Sequence, residues 1–119
     1  LKTILVVDDE YANAEVLALI LADEGYRVVC AANGAEGLEK IRDAHPDLVI
    51  LDIMMPVMDG AEMAKQMRAS PETRHIKIIL NSSLSESVAR QRCDSYDGFL
   101  RKPYNINAAL ELISRLLSK

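Results

Sequence analysis

Four groups of residues in this sequence have types and spacing that could do chemistry together: Asp8-Asp9-Glu10, Asp52, Ser82-Ser83 and Arg101-Lys102-Pro103. Each stands at or just beyond the end of a short apolar run. Carboxylates gathered at one place repel each other unless a cation joins them. A hard, oxygen-seeking divalent ion, Mg²⁺ above all, resolves that repulsion by holding one or two carboxylates and several waters. The same ion can bridge a phosphoryl group and offset charge during in-line transfer, while a carboxylate serves as nucleophile. Asp52 is the candidate nucleophile. Ser82 and Lys102, a hydroxyl and an ammonium, are the groups needed to hold the oxygens of the resulting acyl phosphate. Taken one at a time these residues have plainer readings: loop acids, a hydroxyl satisfying a strand end, a solvated lysine. Their combination is what points to a site.

The elements that must position them are written in the hydrophobic pattern. Strand-like runs recur at Thr3 to Val7, Arg27 to Ala31, Leu48 to Leu51, Lys77 to Leu80 and Gly98 to Leu100, each followed by a segment of helical spacing. Continuous runs such as Ile4-Leu5-Val6-Val7 and Leu48-Val49-Ile50-Leu51 suit central strands of a parallel sheet covered by helices on both faces. In such open α/β sheets ligands sit beyond the carboxyl ends of the strands, where all four polar groups fall. Asn33 with Glu36 and Asp59 with Glu62 read as helix-capping pairs. The first helix spans about Tyr11 to Glu24 and stops before Gly25; the second spans about Gly34 to Ala44 and stops before Pro46. Met63 and Met67 of the third helix are core residues. The fifth helix, about Ile106 to Leu117, turns Ile106, Leu110, Ile113 and Leu117 toward the sheet, with Leu112 and Leu116 broadening the stripe. Ser85 to Cys93 offers only Val88 and Ala89, so the fourth helix is expected to be short or mobile.

Composition bounds the function. A chain of 119 residues is expected to form one domain, residues 1–119, with a single core. A net charge of -4 argues against direct nucleic-acid binding, which needs clustered Lys and Arg. No apolar run reaches the roughly 20 residues of a membrane span, and Leu1-Lys2-Thr3-Ile4 leads into a strand rather than a signal peptide, so a cytoplasmic setting is expected. The start on Leu rather than Met reads as a trimmed or processed beginning. Cys30 and Cys93 lack paired or metal-ligand spacing and are expected as buried or semi-buried free thiols. His45 and His75 likewise lack metal-pair spacing.

Ile4-Leu5-Val6-Val7-Asp8-Asp9-Glu10, Asp47 through Asp52 to Pro56, Met58-Asp59-Gly60 and Phe99-Leu100-Arg101-Lys102-Pro103 stand in the order and spacing of one family. The chain resembles a receiver domain of two-component response regulators over essentially its whole length. The resemblance implies a flavodoxin-like (βα)5 open sandwich with parallel strands in the order 2-1-3-4-5. It implies that Asp52 accepts a phosphoryl group from a sensor histidine kinase or histidine phosphotransfer protein, and that Asp9 and Asp52 ligate Mg²⁺. Asp8 would act through metal-bound water and Met54 through its backbone carbonyl. Ser82 matches the switch hydroxyl, Phe99 the aromatic that moves with it, and Lys102 the phosphate-binding lysine, followed by a cis bond to Pro103. The domain would assist its own modification without turning over an external substrate. A downstream protein or output domain would read the fourth helix, fifth strand and fifth helix, where Arg90, Arg92 and Arg101 suit an acidic partner or simply a solvated helix. Leu112 and Leu116 permit homodimerisation and equally suit deeper packing.

Three departures from the family pattern stand out. The stretch from Ser82 to Lys102 is about two residues short, the common Gly-Ala before the fifth strand is Ser95-Tyr96, and Asn81 replaces an apolar strand residue. Met54 and Leu84 offer no carboxylate or amide to orient an attacking water, so slow self-dephosphorylation is expected. Two other classes compete. A flavodoxin-like cofactor binder would need a Ser/Thr/Gly-rich loop where Asp8-Asp9-Glu10 would repel the anion, and an aspartate-nucleophile phosphatase would need a second acid where Met54 stands. A phosphorylation-silent pseudo-receiver is disfavoured by the presence of every site group.

Overall fold

In the computed structural model, which describes residues 1–118, five strands and five helices alternate: β1 Thr3–Val7, α1 Tyr11–Asp23, β2 Arg27–Ala31, α2 Gly34–Ala44, β3 Leu48–Asp52, α3 Gly60–Ala69, β4 Lys77–Ser82, α4 Glu86–Arg92, β5 Gly98–Arg101 and α5 Ile106–Leu117. The strands form one parallel sheet in the order β2-β1-β3-β4-β5. Every residue of β1 and β3 is buried, which is why their sequences are continuous rather than alternating. One face of the sheet, through Leu5, Val7, Val49, Leu51, Ile78 and Leu80, packs against Ile41 of α2 and Met63 and Met67 of α3. The other face, through Ile4, Val6, Ile50 and Ile79, packs against Leu17 and Leu21 of α1 and Ala109 and Ile113 of α5. Each of the Val, Leu, Ile and Met side chains among these contributes roughly 1.5–3 kcal/mol on full burial.

The helix starts follow from side-chain caps. The backbone N–H of Glu36 donates to Asn33 Oδ1 at 2.9 Å, and that of Glu62 donates to Asp59 Oδ1 at 2.9 Å. Asn105 and Ser85 cap α5 and α4 in the same way. Gly25, with φ of 97°, closes α1 in a conformation only glycine adopts without strain. The fourth helix forms but spans only seven residues, as its sparse apolar content foretold.

Two expectations shift. Cys30 is exposed, because β2 is an edge strand, while Cys93 is buried. The buried centre of α5 lies on Ala109 and Ile113; Ile106, Leu110, Leu112, Leu116 and Leu117 flank it half-buried. Leu112 and Leu116 lie over Gly98, close to where a Cβ would be, so much of their surface is spent inside the domain.

Candidate functional site

The carboxyl ends of three central strands and the segment after β5 meet at one edge of the sheet. Asp8 follows β1, its Oδ1 accepting from the Glu10 N–H at 2.9 Å, and Asp52 is the last residue of β3. Carboxylate oxygens of Asp8, Asp9 and Asp52 all lie within 4.8 Å of one another, with Asp8 and Asp52 buried and Asp9 exposed. Gly60 seats the start of α3 against this strand end: its N–H donates to Ile53 O at 2.9 Å, and a Cβ there would collide with the backbone oxygen of Asp52.

Lys102 completes the cluster. Its backbone N–H donates to Ser82 O at 2.7 Å, tying the end of β5 to the end of β4, and its bond to Pro103 is cis. Its Nζ reaches Asp8 Oδ2 at 3.2 Å and Asp52 Oδ2 at 3.3 Å. Burial pushes the Asp52 carboxyl above its ordinary range; Lys102 opposes the shift and the Asp8 charge adds to it. For Lys102 burial works downward, yet Asp52 and Asp8 outweigh it and leave the ammonium held above its usual value. One ammonium therefore serves two buried carboxylates and leaves the cluster short of positive charge. Three converging oxygen donors, a charge deficit and an acid destabilised by burial fit a hard divalent cation held by Asp8, Asp9 and Asp52.

Ser82 is buried and closes β4, with its Oγ accepting from the Leu84 N–H at 3.1 Å, so its own proton is free to donate elsewhere. Phe99 is directly across from Leu80 in the β4–β5 register and packs half-buried into the same core cluster. Its ring lies 6.2 Å from that of Tyr96 at a 53° tilt. Met54 is exposed, and Arg92 Nη1 donates to its sulfur at 3.5 Å; Leu84 turns instead into the core cluster. The site residues thus divide: Asp8, Asp9, Asp52 and Lys102 are brought together directly, while Ser82 and Phe99 lie on the adjoining strands β4 and β5.

With this geometry in place, comparison with known proteins becomes decisive. The sequence pattern of the response regulator receiver domain matches residues 4–114. The chain belongs to the response-regulator receiver family. Response regulator MprA of Mycobacterium ulcerans is 38% identical over 117 residues, covering 98% of this chain and 50% of its relative. Regulatory protein AtoC of Escherichia coli is 35% identical over 119 residues, covering 98% of this chain and 25% of the relative. The receiver thus spans a quarter to a half of these relatives. Among solved structures, the signal receiver domain of a histidine kinase from Syntrophus aciditrophicus superposes with a TM-score of 0.91 at 34% identity, covering 99% of this chain and 91% of that one. The response regulator TrrA of Thermotoga maritima, solved in complex with Mg²⁺ and BeF, superposes with a TM-score of 0.88 at 38% identity over 98% and 100% of the two chains. The expected fold and strand order are borne out, and this is a receiver domain of two-component signalling.

Several features of this receiver escaped the sequence. Arg90 donates to Tyr96 Oη at 3.1 Å and to Glu86 Oε2 at 3.2 Å, and Tyr96 Oη donates to the same Glu86 oxygen at 2.7 Å. This triangle fastens α4 to the segment before β5 and engages one of the arginines read as free for a partner. Arg101 donates to Ser83 O at 3.4 Å. The Ser95-Tyr96 departure was the available signal for the triangle, but its partners could not be paired without the fold. Among the described residues, no helix is long and apolar enough to cross a membrane.

Proposed function

We propose that this receiver accepts a phosphoryl group on Asp52 from a phosphohistidine of a sensor kinase or phosphotransfer protein. The observation that carries the reading is the convergence of Asp8, Asp9 and Asp52 within 4.8 Å, with Lys102 bonded to two of them. An Asp52 carboxylate oxygen attacks phosphorus, the phosphorus–nitrogen bond to the donor imidazole breaks, and the imidazole leaves with its electron pair and takes up a proton. Asp8, Asp9, Asp52 and the Met54 carbonyl would hold Mg²⁺, which would supply positive charge to the transferred oxygens. Lys102 is placed to exchange part of its contact with Asp52 for a phosphoryl oxygen. The Ser82 hydroxyl, whose proton is uncommitted, donates to another.

Converting the Asp52 carboxylate to an acyl phosphate, which carries about two negative charges in place of one, draws Ser82 and Lys102 toward the new oxygens and biases an existing equilibrium at Phe99. The change reaches the surface through β5 and α4, where Tyr96 touches Phe99 on one side and Glu86 and Arg90 on the other. That face, with α5, is the surface a downstream protein or output domain reads. The protein acts in the cytoplasm as a switch, with residues 1–119 as one receiver unit and no turnover of an external substrate. Incubation with Mg²⁺ and acetyl phosphate should add one phosphoryl group to the wild type and none to Asp52→Ala. Equal labelling of the two would overturn the assignment.

A further inference from the structure

Around the acceptor the negative charge is only just covered. Asp8, Asp9 and Asp52 converge within 4.8 Å, and the Lys102 ammonium is shared between Asp8 and Asp52. A divalent cation would bring these carboxylates to neutrality, so a phosphoryl donor would arrive with anionic charge that nothing in the cluster offsets. One cation outside the cluster reaches toward the same place. Arg92, the last residue of α4, extends its guanidinium to the exposed Met54, two residues past Asp52, where Nη1 donates to the sulfur at 3.5 Å. The base of that side chain is fixed. Ala89 before it and Cys93 after it are buried in the core, and the Cys93 N–H donates to Ala89 O at 2.9 Å. Its head is not: Arg92 is exposed, and among the described residues no carboxylate pairs with it. Of the acids that share its groove, Asp59 and Glu62 are engaged within α3, where Asp59 Oδ1 accepts from the Glu62 N–H at 2.9 Å and Glu62 Oε2 accepts from Gln66 Nε2 at 3.1 Å. The other arginines of this face are held elsewhere, Arg90 by Glu86 and Tyr96 and Arg101 by Ser83 O.

We propose that Arg92 is a specificity-determining residue of phosphoryl transfer: it leaves the Met54 sulfur for an anionic oxygen of the arriving phosphoryl donor, and so favours donors of higher negative charge. The inference rests on Asp52 being the acceptor. A thioether is a weak acceptor, whereas a guanidinium and a phosphoryl oxygen form a charge-assisted hydrogen bond about twice as strong as a neutral one. The exchange therefore runs toward the donor. Arg92 makes no covalent bond in the transfer; its charge acts on capture of the donor, and because the group is exposed that action is screened by salt.

The test times Mg²⁺-dependent labelling of position 52 with acetyl phosphate, a dianion near neutral pH, and with phosphoramidate, a monoanion, at subsaturating donor and low ionic strength. Arg92→Glu should slow the acetyl phosphate reaction on the order of tenfold. Phosphoramidate should slow only about threefold, because the logarithm of the effect scales with donor charge. The loss should appear in the half-saturating donor concentration rather than in the maximal rate, and salt at ~0.5 M should remove it. Arg115→Glu, on the exposed side of α5, changes the net charge equally and should leave the ratio of the two donors at its wild-type value. The contact itself is read in metal-free protein, where Arg92→Gln should shift the methyl resonance of Met54. Equal slowing of both donors by Arg92→Glu, the same change of ratio in Arg115→Glu, or an unmoved Met54 methyl would overturn the inference and leave Asp52 as the acceptor. Absence of label at position 52 in the wild type would overturn both.

Discussion

Replacing Asp52 with Asn should stabilise the metal-free protein, although it removes an ion pair. At an effective dielectric constant of about 20, two like charges at the 4.8 Å limit separating Asp8 and Asp52 repel by about 3–4 kcal/mol. The Lys102 contact at 3.3 Å returns about 5 kcal/mol. These nearly cancel, and Lys102 keeps Asp8 as a partner after the substitution. What decides the sign is the desolvation of the carboxylate, whose side chain is only 11% exposed and costs several kcal/mol to bury as an ion. The net expectation is a gain of about 1–3 kcal/mol for Asp52→Asn. The direction agrees with the raised Asp52 pKa, since the folded state then binds the proton more readily than the unfolded chain. The stability linked to this group is present at pH below the ordinary carboxylate range and is lost as pH rises through the folded value. Urea unfolding in EDTA near neutral pH measures the difference directly. Mg²⁺ should then close the gap, because at a hundredfold excess over its dissociation constant it adds about 2.7 kcal/mol to the protein that binds it. If Asp52→Asn is less stable in EDTA, or if Mg²⁺ stabilises both proteins equally, the account of a cation-deficient carboxylate cluster is wrong.

Gly60→Ala would force a Cβ into the backbone oxygen of Asp52, so it should cost about 1–3 kcal/mol and slow phosphorylation; unchanged unfolding would contradict the close approach. Asp97→Ala removes the acceptor of the buried Ile78 N–H at 2.8 Å together with the Arg68 ion pair at 2.8 Å, and should cost about 1–3 kcal/mol, read by thermal unfolding. Met54→Asn should accelerate loss of the acyl phosphate, because the exposed residue two positions after the acceptor then offers an amide to an attacking water. Leu84→Glu is the poorer test, since Leu84 packs into the core and the charge would disturb folding as well as hydrolysis.

What was legible in the sequence follows from which forces are local. The central strands β1 and β3 could be read because a parallel sheet buried on both faces demands unbroken Val, Ile and Leu, and caps such as Asn33 and Asp59 announce their helices within four residues. The acids, hydroxyl and lysine could be assigned to one edge because open α/β sheets gather their strand ends there. Features made by contacts distant in the chain stayed hidden. Cys30 depends on β2 being an edge, and the centring of α5 on Ala109 depends on how closely that helix approaches the sheet. The Glu86–Arg90–Tyr96 triangle joins residues whose pairing only the folded course of the connection between α4 and β5 determines. Asn81 was visible as an anomaly, but its unpartnered oxygen belongs to the folded molecule.

The central claim is that Asp52 is the phosphoryl acceptor of a magnesium-assisted switch. Its most direct test is borohydride reduction of the protein after treatment with acetyl phosphate, followed by peptide mass mapping. The account predicts homoserine at position 52, formed only with Mg²⁺ present and abolished in Lys102→Ala or strongly reduced there. Modification at another residue, or equal modification of position 52 in EDTA, would contradict it.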